Sequence, residues 1–275
     1  MLRKSIFLFV YFILITMSTK AQYLETGITG GLSYYLGDLN HATQFSQAQP
    51  AGGIVVRYNY TTRWALKGNL LIGSLKGSDE ATGKTPGRNL SFQSSISEFS
   101  LQAELNFLEY FTGSKRDVFT PYLFGGIALF MFNPKAEFQG NLIELQPLNT
   151  EGQNTLAYPD RKPYVLTNFS FPFGMGVKFS LNKKVCAGIE WGMRKTLSDY
   201  IDDLSTTYYL ESSIIDPNNA EQFMSDPDMT HRPGMQRGTS KTTDWYSFAG
   251  VFITYKFSLA KEPTCNDFRN VQRFK

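Results

Sequence analysis

The sequence predicts an all-β fold: an eight-stranded antiparallel up-and-down transmembrane β-barrel with a plugged lumen, following a cleaved signal peptide. Three observations predict it. Hydrophobicity alternates with period two over long runs. The runs are about twice as long as the five or six residues usual in soluble strands, and they suit a tilted membrane-crossing strand. The connections alternate between long and short, as in barrels with short periplasmic turns and long outer loops.

Composition sets the outer bounds. The chain has 275 residues, with 15% aromatic, 19% charged and 23 glycines. That is too apolar for disorder and too rich in Gly and aromatics for a helical bundle. Two cysteines without a CxxC pattern exclude a zinc ribbon or a disulfide-dense scaffold. Arg3 and Lys4, the apolar run 6–17 and the small residues before the Ala21–Gln22 bond have the form of a secretory signal peptide over 1–21. That segment carries Arg3, Lys4 and Lys20 and no acid, so a mature chain would be formally neutral. Net charge therefore gives no reason to expect a nucleic-acid partner. The expected organisation is a signal peptide over 1–21, a barrel over 22–258 and a periplasmic tail over 259–275.

Eight stretches read as strands: 23–37, 50–61, 63–75, 96–107, 118–132, 165–181, 185–197 and 244–257. In 165–181 the odd positions form an apolar stripe from Val165 to Leu181, and the even positions are small or polar. In 96–107 Phe99, Leu101, Ala103, Leu105 and Phe107 oppose Glu98, Ser100, Gln102, Glu104 and Asn106. In 185–197 Val185, Ala187, Ile189, Trp191 and Met193 oppose Cys186, Gly188, Glu190, Gly192 and Arg194. The 118–132 run is apolar on both faces, which leaves its orientation open. Long polar connections fall at 38–49, 76–94, 133–164 and 198–243; tight links fall at 61–63, 111–117 and 182–184. Tyr58, Tyr60, Trp64, Tyr110, Phe111, Tyr255 and Phe257 lie at strand ends, where an aromatic girdle would meet the headgroups. Closure is required because lipid offers no partner to an open strand edge.

If the apolar stripes face lipid, the lumen receives Glu25, Arg57, Lys67, Glu98, Glu104, Lys178, Glu190 and Arg194, with acids and bases in balance. The interior of an eight-stranded barrel is just wide enough for side chains to fill, so these charges read as an ion-pair plug rather than a channel. Cys186 should face the lumen near a tight turn, and Cys265 lies in the tail. They could form a disulfide, Cys265 could bridge to a partner, or both could stay free. The tail, with Lys261, Arg269, Arg273 and Lys275 against Glu262 and Asp267, reads as a docking peptide or a frayed terminus.

No catalytic residue and no cofactor is expected. The histidines His41, with Asp38 nearby, and His231, with Asp228 nearby, read as solvated loop residues. The 198–243 loop carries eight acids against Arg232, Arg237 and Lys241. It could offer oxygen ligands to Ca²⁺, but an aspartate capping a short helix at 199–204 is the favoured expectation.

Four segments resemble the PorG-like outer-membrane β-barrel family of the type IX secretion system. They are the stretch from Gly30 to Leu39, including Gly37 and Asp38; Pro50 through Arg57-Tyr58-Asn59-Tyr60; the run from Asp199 to Tyr208, with Tyr200, Asp202, Asp203 and Ser205; and Arg237-Gly238 followed by Asp244-Trp245-Tyr246 and Phe248-Ala249-Gly250. The resemblance implies a structural role in the outer membrane, in contact with its lipid. The partners it implies are the lipoprotein and the ring subunit of a periplasmic ring, in a machine often shared with gliding motility. It implies no catalytic residues. A surface adhesin or ligand-binding barrel working through the long loops is the alternative.

Overall fold

The structure, a computed structural model, describes residues 23–258 except 42, 84 and 86. The expected signal peptide, the tail and Cys265 lie outside the described residues. The barrel wall consists of β1 (Tyr23–Leu36), β2 (Gln49–Asn59), β3 (Trp64–Ser78), β4 (Ser91–Asn106), β5 (Phe119–Phe138), β7 (Thr167–Ser180), β8 (Val185–Thr196) and β9 (Trp245–Ser258). A short β6 (Asn141–Glu144) folds back on the end of β5. Neighbours run antiparallel in the order β4-β3-β2-β1-β9-β8-β7-β5, and β4 pairs with β5 to close the ring. The seam between β1 and β9 is paired from Tyr23↔Ser258 to Leu36↔Trp245.

The wall is apolar outside and polar inside. Ile28, Ile54, Leu70, Ile72, Phe99, Ile127, Phe171 and Ile189 all stand exposed on its outer face. Glu25, Arg57, Glu104 and Lys178 are fully enclosed. Only lipid rewards that distribution. The open question at β5 is settled: Tyr122, Phe124, Ala128 and Phe130 point inward, and Leu123, Ile127, Leu129 and Met131 outward.

Strand limits follow the sequence expectation within a few residues, with two exceptions at the long-loop end. β4 starts at Ser91 rather than 96, because beyond the apolar belt the outer face meets water and the pattern inverts. There Phe92 and Ile96 point in, and Ser91, Gln93 and Ser95 point out. β5 runs on to Phe138 rather than stopping at 132. Pro134 falls between the β7 ladder, which ends at Met131↔Thr167, and the β6 ladder, which begins at Lys135↔Glu144; it has no N–H to donate, and its carbonyl accepts from the amide of Leu145 at 2.9 Å. Gln139 and Gly140, both at positive φ, make the tight turn into β6.

One expected tight link is also different. Residues 110–113 fold into the barrel mouth rather than merely turning. Tyr110 and Thr112 are buried, and Phe111 packs edge-on against Tyr23 with ring centroids 5.0 Å apart. Tyr110 and Phe111 therefore line the floor and do not join the girdle. Trp64, Tyr255 and Phe257 do stand exposed on the outside at this end.

The outer skin makes a direct prediction. Leu70→Arg, in the middle of the apolar belt, should destabilise the barrel by about 2–4 kcal/mol in urea titrations in lipid vesicles. Gln93→Arg, also outward but beyond the belt, should leave it unchanged.

Candidate functional site

The interior is filled in three layers. At the short-turn end Tyr110, Tyr122, Phe124, Cys186 and Phe252 form an aromatic floor. Inward glycines of β7 and β8 make room for it: a Cβ at Gly192 would stand 2.5 Å from Phe124, and one at Gly176 would stand 2.7 Å from Tyr122. Cys186 lies within this floor, fully buried.

All eight charged side chains assigned to the lumen lie buried in the middle layer. Glu104 is its hub. It accepts from Arg57 Nε at 2.9 Å and Lys178 Nζ at 2.7 Å, and it pairs with Lys67 Nζ at 3.2 Å. Arg57 also donates to Glu25 at 2.8 Å, and Lys67 to Glu190. Arg194 and Glu98 form a separate pair at 3.0 Å. Hydroxyls add further donors: Tyr122 donates to Glu190 at 2.6 Å, Tyr246 to Glu98 at 2.7 Å, and Thr112 to Glu25, while Glu98 Oε1 and the Nη2 atoms of Arg57 and Arg194 stay without a hydrogen-bond partner. The lysines also lie over rings, Lys67 at 4.3 Å from Phe124 and Lys178 at 4.5 Å from Tyr122. Each charge is thus compensated where water is excluded.

The third layer closes the long-loop end. Tyr35, Leu75, Phe92, Ile96, Phe130 and Phe132 from the strands pack against Leu39, Leu90, Leu145, Ile201, Leu204 and Met224 from the loops. Above this core the loops are tied into a dome by buried ions. Arg88 grips Asp79 with two bonds of 2.8 and 2.6 Å, and it donates to the carbonyls of Asp38 and Arg237. Three loops meet at that one guanidinium. Glu151 joins the fourth: it accepts from the amides of Ser205 and Thr206 and from Arg237 Nη1. Arg237 also reaches the carbonyls of Asp203, Met224 and Ser225.

The family-motif residues converge here. Asp38 accepts from the amide of Thr239 at 2.6 Å, next to Gly238, where a Cβ would meet the Ser205 amide nitrogen at 2.4 Å. Asp244 accepts from the amide of Ile201 at 2.9 Å. Asp203 accepts from Thr150 at 2.5 Å and Tyr164 at 2.7 Å. Tyr200 stacks on Tyr164 at 4.6 Å, and Tyr208 on His231 at 4.1 Å. Gly37 and Asn40 close the first loop through paired backbone bonds. Ser205 is buried in the same knot.

The expected helix over 199–204 is absent. These residues form turns: Asp202 accepts from the amide of Leu204 at 3.0 Å, and Asp203 sits at φ +67°. An aspartate that satisfies its own turn competes with the helical ladder. The histidine pairings also change. His231 bonds Asp226 at 2.8 Å, not Asp228, while Asp38 is engaged by Thr239 and His41 is exposed. Among the described residues no group of three His, Cys, Asp or Glu side chains is placed to hold a metal ion. Glu151, Arg88 and Asp79 carry the dome without any local sequence signal; each reads as an ordinary loop charge.

Burial sets the protonation of the dome. Tyr35 donates toward Asp202 at 2.5 Å and Asp244 at 2.8 Å. One hydroxyl proton serves one carboxylate, so the other contact needs a proton on an aspartate. Burial, with nearby acids adding to it (Asp244 and Asp38 at Asp202, Asp199 and Asp38 at Asp244), holds both well above the usual carboxylate range. Burial also pushes Asp199 up to about 7 and Asp203 up to about 6, the latter against the pull of Arg237.

Two tests follow from these layers. Arg194→Met, which leaves Glu98 buried without its cation, should cost about 3–5 kcal/mol in urea titrations, and adding Glu98→Gln should recover much of it. For the dome, raised native pKa values mean that the folded state binds more protons than the opened one from the ordinary carboxylate range up to about 7. Dome stability should therefore fall as pH rises through that window. Limited proteolysis of 197–244 should be faster at about pH 8 than at about pH 5, with a smaller difference in Asp199→Asn.

Comparison with known proteins places the chain. Residues 4–212 match a family described as a domain of unknown function, DUF6089. No curated protein matches. Among solved structures, the N-terminal β-barrel domain of Pseudomonas aeruginosa OprF aligns at 13% identity and a TM-score of 0.38, over 86% of this chain and all of that one. Ail, the attachment invasion locus protein of Yersinia pestis, aligns at 9% and 0.41 over 86% of this chain and all of that one. Neisserial surface protein A aligns at 10% and 0.39 over 86% and 98%. The match to the family extends across most of the barrel, and the chain belongs to the DUF6089 family.

Proposed function

We propose that this protein is a non-enzymatic outer-membrane barrel that anchors a periplasmic ring complex of the type IX protein secretion machinery, with a further role in gliding where that machinery is shared. The observation that carries the reading is the convergence of the motifs behind the PorG-like resemblance. Gly37–Asp38, Asp199–Tyr208, Arg237–Gly238 and Asp244 are far apart in sequence, yet they interlock in one dome. They act there as structural ties. A filled lumen and tied loops suit a fixed anchor, and the short turns and tail would face the ring's lipoprotein and soluble subunit. The signal peptide over 1–21 and a periplasmic location for both termini belong to the same reading.

A second reading, a surface barrel that binds ligands through its outer loops, is favoured by apolar side chains at the loop tips. Leu142, Leu156, Ile214 and Met235 are all exposed there. A clean deletion separates the two readings. Loss of secretion, with ring proteins no longer held at the outer membrane, is the expected result. Normal secretion would refute the anchor. Secretion that survives trimming of loops 139–166 and 197–244, while surface binding is lost, would support the second reading.

A further inference from the structure

Charge is polarised along the barrel axis. At the long-loop end the exposed ions are mostly acids, among them Glu80, Asp160, Glu211, Asp216, Glu221 and Asp228. At the opposite end the turns 107–118 and 181–184 present Lys115, Arg116, Lys183 and Lys184, all exposed. Among the described residues none of these four forms an ion pair with the nearby exposed acids, Glu109 and Asp117. The sequence continues from this end into 259–275, which carries four bases and two acids.

The two turns form one rigid surface. The amide of Gly113 donates to Ser180 Oγ at 2.8 Å, and a Cβ at Gly113 would meet the Lys183 carbonyl at 2.6 Å. Thr112 is buried beneath them. Ser114 Oγ accepts from the amides of Arg116 and Asp117, and Asn182 Oδ1 from those of Lys184 and Val185, so each tip is internally braced. A rigid patch needs little ordering on binding. Like charges without an ion pair on one surface repel one another, and an opposite charge relieves that repulsion.

The bases crowd one arc of the mouth, on the adjoining turns of β4–β5 and β7–β8. The β2–β3 turn contributes only Arg63, which already donates to the Phe107 carbonyl at 3.0 Å. Lipid headgroups surround the whole perimeter and would favour bases all round it. A one-sided cluster fits one compact partner. We propose that turns 107–118 and 181–184 form a docking face for an acidic protein surface, engaged through Lys115, Arg116, Lys183 and Lys184. This rests on the anchor reading and adds to it the chemistry of the partner.

The test uses the full chain in intact cells, with a photoreactive residue in place of Glu109, exposed on the same turn. Cross-linking is compared between the native charges and the combined reversal Lys115→Glu, Arg116→Glu, Lys183→Glu and Lys184→Glu. The corresponding all-Gln variant serves if the reversal fails to assemble, as judged by heat-modifiable gel mobility. The expected result is capture of a protein whose cross-linked segment is net acidic, with yield reduced about tenfold or more by the reversal. Capture unaffected by the charge change, cross-links to lipid alone, or a captured segment without acidic excess would each overturn the docking face. An acidic partner outside the secretion ring would support the face and refute the anchor. Ring proteins captured equally with and without the four bases would do the reverse.

Discussion

Glu104 faces three cations in a space closed to water, and the rest of the barrel is arranged around that fact. A carboxylate so placed cannot lose a partner cheaply, because the removed charge leaves the others uncompensated in a medium that screens poorly. Two of the cations, Arg57 and Lys67, are register partners on the adjacent strands β2 and β3, and the third, Lys178, comes from β7. Their meeting fixes strand register as well as charge. A shift of one residue in any of these strands would send its cation into lipid. The ion-pair layer thus specifies one barrel among the many that an apolar outer skin would tolerate.

The wall was legible in the sequence because its cause is local. Each strand alternates between lipid and lumen, and alternation survives in a linear reading. It failed where the surroundings changed along the strand. Past the belt Ser91, Gln93 and Ser95 point into water, so a genuine strand looked like a loop. The extension of β5 past 132 is paired by β4 and by the fold-back of β6, contacts that exist only in the assembled sheet.

The dome was far less legible, and the reason is again physical. Arg88 contacts residues of three loops, and Glu151 contacts a loop about fifty residues away. No periodicity encodes such contacts. Even the motif 199–208, visible as a cluster of acids, suggested a capped helix. What it forms is a set of turns whose carboxylates accept from an amide of their own turn or from hydroxyls elsewhere in the dome. The tight link expected at 111–117 departs from a simple turn for the same reason. Its inward fold depends on Glu25 of the first strand and Ser180 of the seventh, which meet it only in the closed cylinder.

The seam joins the first described strand to the last, residue for residue, over its whole length. Among the described residues only β9 pairs with that edge of β1. The cylinder therefore cannot seal until its last strand has formed, and until then β1 keeps an unpaired edge open to wrong partners.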